Sequence, residues 1–236
     1  MTTRSLRRPI LLLVALLALT GCSFYFNPAD SAPELLRYEG FDGNINDGDW
    51  YSGTQTGRAP EAEFTNGRLD IRGPRHFLTT NDKYSTDITV LLEWSVLNGN
   101  DGQAHPAENT EYPDYSVSLD DAGLTVHFLL YQKLATGSRE DRLELVNAEG
   151  EVAASAVVVS ALRTSGTLRI RFIKTFNQYT VAAAVPELEL IMAAEVEGTF
   201  ANRSHVTIEA SGLPDDPRSL DELYLLRERL DLGALM

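Results

Sequence analysis

From Tyr38 onward the chain alternates apolar and polar residues in short runs separated by turn formers. In the longest run, ITVLLEWSVL, Ile88, Val90, Leu92, Trp94 and Val96 share one face, while Thr89, Leu91, Glu93, Ser95 and Leu97 share the other. A strand has a side-chain period of two, so the first set predicts a buried face with Trp94 in the core, and Glu93 points the opposite way. Further runs cover 69–72, 115–119, 124–131, 143–146, 152–159, 168–173, 179–185, 188–196 and 206–210. About ten strands follow, with no repeat and no dividing linker, which is the pattern of an all-β sandwich. LRIRFI places Leu168, Ile170 and Phe172 on one face and Arg169, Arg171 and Ile173 on the other. Two guanidinium groups on one side of one strand suit a carboxylate or acidic sugar, or else cross-strand acids such as Glu144 or Glu195.

The N-terminus has a different pattern. Arg4, Arg7 and Arg8 precede an apolar run from Ile10 to Leu19, too short for the ~20 residues of a membrane span but suited to an export signal. It ends in Leu19-Thr20-Gly21-Cys22, which resembles the lipobox of bacterial lipoproteins. That resemblance implies cleavage after residue 21, a diacylglyceryl group on the Cys22 thiol and a further acyl chain, such as palmitate, on its amine. Two or more chains anchor a protein stably at a bilayer. Cys22 is the only cysteine, so the exported domain is expected to be held by its core without an internal disulfide. Ser23 follows the cysteine, and the absence of Asp there points, by resemblance to lipoprotein sorting, to the outer membrane. The organisation expected is a signal peptide at 1–21, a lipidated N-terminus and tether at 22–36, and one sandwich domain at 37–236.

Charge narrows the partners. Loss of residues 1–21 removes three arginines and no acid, taking the formal net charge from −14 to −17. Such a surface repels phosphate, which argues against nucleic acid and leaves neutral glycans, cations or basic envelope proteins.

Several segments carry a family resemblance. FDGNINDGDW at 41–50, Ala62-Glu63-Phe64, the stretch Asn66 to Ile71, Phe77 to Thr80, and Tyr84 to Ile88 leading into Trp94 resemble the opening of concanavalin A-like domains, the laminin-G, lectin and glucanase type of jelly roll. Leu168 to Ile173, Gln178 to Val181 and Asp221 to Leu225 resemble its closing strands, so the similarity spans residues 37 to 229. The resemblance implies two antiparallel sheets with a concave face where relatives hold carbohydrate. It also bears on the C-terminus, where Ser219 to Glu222 reads as a capping box and Leu220, Leu223, Leu226 and Leu230 recur at helical spacing. The family pattern instead makes Glu222 to Arg227 a strand, which is the reading adopted.

Local chemistry is sparse. A calcium loop of the EF-hand kind needs ligands at its first, third and fifth positions, Gly at the sixth and Glu at the twelfth. Asp42, Asn44 and Asn46 fit, but Asp47 and Gly53 then occupy the last two places, so the segment reads as a turn, with Asp42, Asp47 and Asp49 as the candidate calcium ligands. Laminarinase-type relatives use Glu-x-Asp-x-x-Glu, and the nearest stretch, Glu187 to Met192, lacks the last acid. His76, His105, His127 and His205 show no metal-ligand spacing. Gly99-Asn100-Asp101-Gly102 and Tyr115 to Asp121 resemble the 3-keto-disaccharide hydrolase-like domains, departing from them at Asp101 and in the 105–113 insertion. If a carboxylate acts in a groove, Glu93, Asp120 and Asp121 are the candidates. Two readings stay open: a lipid-anchored, non-catalytic glycan-binding sandwich, and a sugar-processing enzyme.

Overall fold

The computed structural model describes residues 33–45, 48–54, 62–84, 87–96, 106–198 and 200–227. Cys22, Asp47, Leu97, Gly99 to Gly102 and His105 lie outside them. The strands in chain order are β1 (Glu34–Glu39), β2 (Trp50–Thr54), β3 (Ala62–Phe64), β4 (Leu69–Ile71), β5 (His76–Thr80), β6 (Ile88–Val96), β7 (Tyr115–Leu119), β8 (Leu124–Lys133), β9 (Arg139–Val146) and β10 (Val152–Val159). They continue as β11 (Ser165–Thr175), β12 (Gln178–Val185), β13 (Leu190–Glu197), β14 (Val206–Ala210) and β15 (Arg218–Arg227).

All pairings are antiparallel and fall into two sheets. The eight-stranded sheet runs β13-β12-β11-β6-β15-β4-β3, with β1 joining β15 beside β4, and the seven-stranded sheet runs β10-β9-β8-β7-β14-β5-β2. Their inner faces enclose one core. Trp94, fully buried, meets Phe128 edge-on at 5.3 Å between centroids and lies 6.0 Å from Tyr115. The Tyr115 hydroxyl donates to the Ser95 carbonyl at 2.8 Å, so an aromatic of one sheet is fastened to the backbone of the other. At about 25 cal/mol per Å² and 150–250 Å² each, such rings contribute on the order of 4–6 kcal/mol apiece before entropy is counted.

The sequence reading needs adjustment at both ends. β1 begins at Glu34, inside the stretch expected to be tether, because Leu35, Arg37 and Tyr38 pair with Leu226, Leu225 and Tyr224 of β15. β15 is a strand from Arg218, and no helix forms over the capping-box sequence. Ser219 is wholly buried there and donates to Asp70 at 2.6 Å, and a bulge between Leu220 and Glu222 lets Leu220 and Leu223, three residues apart, both face the core. Gly212, before β15, admits no side chain, since a Cβ would sit 1.8 Å from the Ile71 carbonyl oxygen.

A charged cluster closes the end of the sandwich where β15 begins. Arg218, with no exposed surface, donates from Nε to Asp114 at 2.6 Å, from Nη1 to the Asp216 carbonyl at 2.9 Å and from Nη2 to the Ala107 carbonyl at 2.8 Å. Burial pushes the Asp114 carboxyl up to about 6 against the pull of Arg218. On Arg218 burial works against the charge, and Asp114, Tyr115 and Asp216 outweigh it, raising its pKa.

His76, on the core side of β5, has both ring nitrogens buried without a hydrogen bond, and burial lowers its pKa. The unfolded chain therefore takes up this proton first as pH falls below ~6.5. We expect acidification from pH 7.5 to 5.5 to lower the unfolding free energy, read by urea denaturation, more in the wild type than in His76→Leu, by up to ~1.4 kcal/mol per pH unit. Equal pH dependence in the two proteins would refute this role.

Candidate functional site

The outer face of the seven-stranded sheet carries a cavity of about 370 Å³. Strand alternation builds it: the core-facing partners Leu78, Tyr115, Val117, Val126, Phe128 and Ile208 turn the intervening residues outward. The pairing register then lines these residues into two rows across β5, β14, β7 and β8. Phe77, Glu209, Ser116 and His127 form one row, and Thr79, Thr207, Ser118 and Thr125 form the other.

The floor is hydroxyl-rich and ordered. Ser116 Oγ lies 2.9 Å from His127 Nδ1, and Ser118 Oγ lies 2.9 Å from Thr125 Oγ1. Thr207 donates to Asp120 Oδ2 at 2.6 Å, so the 2.7 Å contact between the Thr79 and Thr207 hydroxyls has Thr79 as donor. Asp120 sits in the 3₁₀ turn Asp120–Ala122 that ends β7. Desolvation raises its pKa, opposed by the Thr207 hydrogen bond and His205. Burial lowers the pKa of His127, which keeps its imidazole neutral at pH 7.

At the other end Arg75, held in the left-handed region at φ 55°, grips Glu209 with two hydrogen bonds, 2.9 Å from Nε and 3.2 Å from Nη2. Its guanidinium lies 5.8 Å from the centre of the Tyr112 ring. Beside this pair is an aromatic ledge: Phe77 is 5.8 Å from Tyr51, which is 63% exposed. Gly53 lies opposite Phe77, and a Cβ there would approach the ring to 3.0 Å. An apolar ledge of two rings tilted 48° to each other, beside hydroxyls, an amphoteric imidazole and two carboxylates, matches the alternating C–H faces and hydroxyl edges of a sugar ring.

Glu209, Asp120 and Glu144 are each held by a neighbouring side chain. Glu209 and Glu144 share a row but stand three strand spacings apart, ~14 Å, against the 5–9.5 Å between carboxyl groups of glycosidases. The Asp120 carboxylate bonds Thr207, two residues along β14 from Glu209 on the same face, while Arg75 draws the Glu209 carboxylate toward the far end.

The residues singled out in the sequence disperse over the molecule. Asp120 lines the cavity, but Asp121 beside it is bound by Lys83 at 2.5 Å, and that hydrogen bond lowers its pKa. Glu93 lies on the outer face of the other sheet, across β15 from Glu222, and desolvation followed by Glu222 raises its pKa. It does not converge with Asp120. Arg169 and Arg171 share that outer face, flanked by Leu91 and Ala184 and by Thr89 and Ala182. Glu144, suggested as their partner, belongs to the opposite sheet and bonds Arg142 at 3.0 Å. Asp49 pairs with Arg37 at 2.8 Å, Asp42 is exposed in a bend, and Asp47 is outside the described residues. Among the described residues no three His, Cys, Asp or Glu side chains are grouped to hold a metal.

Arg75, Phe77, Thr79, Ser116, Thr207 and Glu209 were not singled out in the sequence. Asp120 was the one sequence candidate that lines the cavity, since alternation identifies a face and leaves strand neighbours unknown.

Two antiparallel sheets stacked on one core, with a cavity on the outer face of one, define a concanavalin A-like β-sandwich. Solved structures agree. The exoplasmic/lumenal domain of VIP36 in its metal-free form matches with a TM-score of 0.56 at 9% identity, over 85% of this chain and 95% of that one. It has also been solved with Ca2+ and Man bound. The legume lectin-like domain from Entamoeba histolytica matches at 0.51 and 8% identity, over 85% and 99%. SCLam, a non-specific endo-beta-1,3(4)-glucanase from family GH16, matches at 0.54 and 11% identity, over 85% and 93%. A sequence search of curated proteins finds no match. Residues 7–23 match the family model of the prokaryotic membrane lipoprotein lipid attachment site. The chain thus carries a lipoprotein lipid attachment site at its N-terminus and has the concanavalin A-like fold.

Proposed function

We propose that this is an envelope lipoprotein of the outer membrane whose sandwich binds a neutral glycan in the cavity of the seven-stranded sheet without cleaving it. The observation that carries this reading is the Tyr51–Phe77 ledge beside the floor of Ser116, Ser118, Thr79, Thr125 and Thr207. The ledge supplies stacking area and the floor supplies directed hydrogen bonds. The lectin domains that share the fold support a carbohydrate ligand, and the engagement of both cavity carboxylates, Asp120 by Thr207 and Glu209 by Arg75, supports binding without turnover.

The test is a glycan-array screen of the mature chain, with and without calcium, followed by product analysis on every hit. Binding without products, lost in Phe77→Ala, is the expected result. Products that vanish in Asp120→Asn would establish the enzymatic alternative, and calcium-dependent binding would bring Asp42, Asp47 and Asp49 back into the site. Absence of binding to any glycan would overturn the reading.

A further inference from the structure

We infer that the β11–β12 hairpin tip is a membrane contact: Phe176 enters the interface of the bilayer that holds the lipid anchor, and so fixes which end of the sandwich faces the membrane. The ligand class is the neutral headgroup and upper acyl region of a phospholipid bilayer.

Phe176 is 99% exposed and stands in a two-residue turn between Thr175 and Gln178, which pair with each other. Its φ of 51° is left-handed, the conformation for which hairpin turns select Gly, Asn or Asp. A bulky aromatic here gains nothing from packing and strains the turn, so folding alone does not account for it.

The pairing register gives the tip its position. Phe172 of β11 faces Ile88 of β6, Ile88 faces Arg227 of β15, and Arg227 faces Glu34, the first residue of β1. The tip therefore lies at the end of the eight-stranded sheet where the chain arrives from its lipidated cysteine. Leu35, 56% exposed, lies at the same end.

Reach favours this orientation. Twelve residue steps lead from Cys22 to Glu34, spanning at most ~43 Å. β11 alone, at 11 residues, is ~36 Å long. Setting the opposite end on the bilayer would lift Glu34 by about that length and use nearly the whole reach, whereas the tip-down pose leaves it slack.

Charge permits the contact despite the acidic chain. Several acids at this end are ion-paired, Asp49 and Asp82 with Arg37, Asp121 with Lys83, and Glu34 with Arg227, while Asp120, Glu149, Glu151 and Glu197 lie at the same end, which suits a bilayer of neutral rather than anionic headgroups. Aromatic and leucine side chains are the residues that surface-seated elements bury in the headgroup region. In this pose the sheets stand upright on the membrane, with Asp120 at the lower edge of the cavity and the Arg75–Glu209 pair at the upper edge.

The test uses the lipidated mature chain in phosphatidylcholine vesicles, with Phe176→Trp as reporter and Val159→Trp, 80% exposed at the opposite end of β10, as control. Trp50 and Trp94 are buried and give a constant background. The indole at position 176 is expected to show blue-shifted emission and to lose intensity when lipids brominated near the headgroup are included, while the control shows neither. Emission at position 176 equal to that of the unlipidated protein in buffer would overturn the inference. So would a blue shift that appears only at high protein density without lipid quenching, which would assign the tip to a protein contact.

Discussion

Arg218→Met is expected to lower folding stability by about 3–5 kcal/mol at pH 7.5, measured by urea denaturation. The substitution preserves much of the apolar volume, so the loss arises from Asp114, which has no exposed surface and would keep the backbone N–H of Leu130 but lose its cation. Asp216 is less affected because the Ala107 backbone N–H still donates to it at 2.7 Å. The pH dependence has a definite sign. A carboxyl already raised to about 6 by burial moves higher without Arg218, so the folded variant binds a proton well above the unfolded value of ~3.9. Its stability accordingly falls as pH rises and recovers on acidification, and the deficit relative to wild type should shrink between pH 7.5 and pH 5.5. Arg218→Met combined with Asp114→Leu should recover most of the loss, since replacing a whole buried pair costs far less than breaking it. A single variant within about 1 kcal/mol of wild type would show that the cluster carries little stability.

Phe77→Ala is expected to weaken glycan binding by about 10- to 150-fold, from the 1.5–3 kcal/mol lost when a sugar no longer covers the ring. Glu209→Gln is expected to fall in a similar range, because hydrogen bonds to charged groups contribute about 1.5–3 kcal/mol and the variant also disturbs the grip of Arg75. Titration calorimetry against the best array hit reads both, and unchanged urea midpoints separate lost binding from lost folding. Because burial lowers the His127 pKa, affinity should stay level from pH 8 to ~6.5, the ordinary histidine value, and decline only below it. His127→Gln should flatten that decline. Full affinity in Phe77→Ala would place the ligand elsewhere.

The face of the long strand was legible because ITVLLEWSVL alternates over nine residues of β6, and Trp94 is in the core where the pattern puts it. The shorter strands β1, β2, β3 and β5 were not assigned as strands from the pattern, because three to six residues with exposed or polar members give too little periodicity. Asp120 was among the candidates because the stretch Tyr115 to Asp121 resembles a family strand that ends in paired acids. Glu209 did not, since its significance depends on Arg75, 134 residues away in the chain.

The sequence by itself determined the lipid attachment site, the all-β class and the inward face of the strands it revealed, because a short motif, apolar run length and a period of two are local properties. Only the tertiary structure decided which outward residues share a cavity, that Glu93 and Asp120 lie on opposite sheets, and that the Phe176 tip lies where the chain enters. Those are matters of strand order and register, fixed by long-range burial of one continuous core that leaves no local trace in the chain.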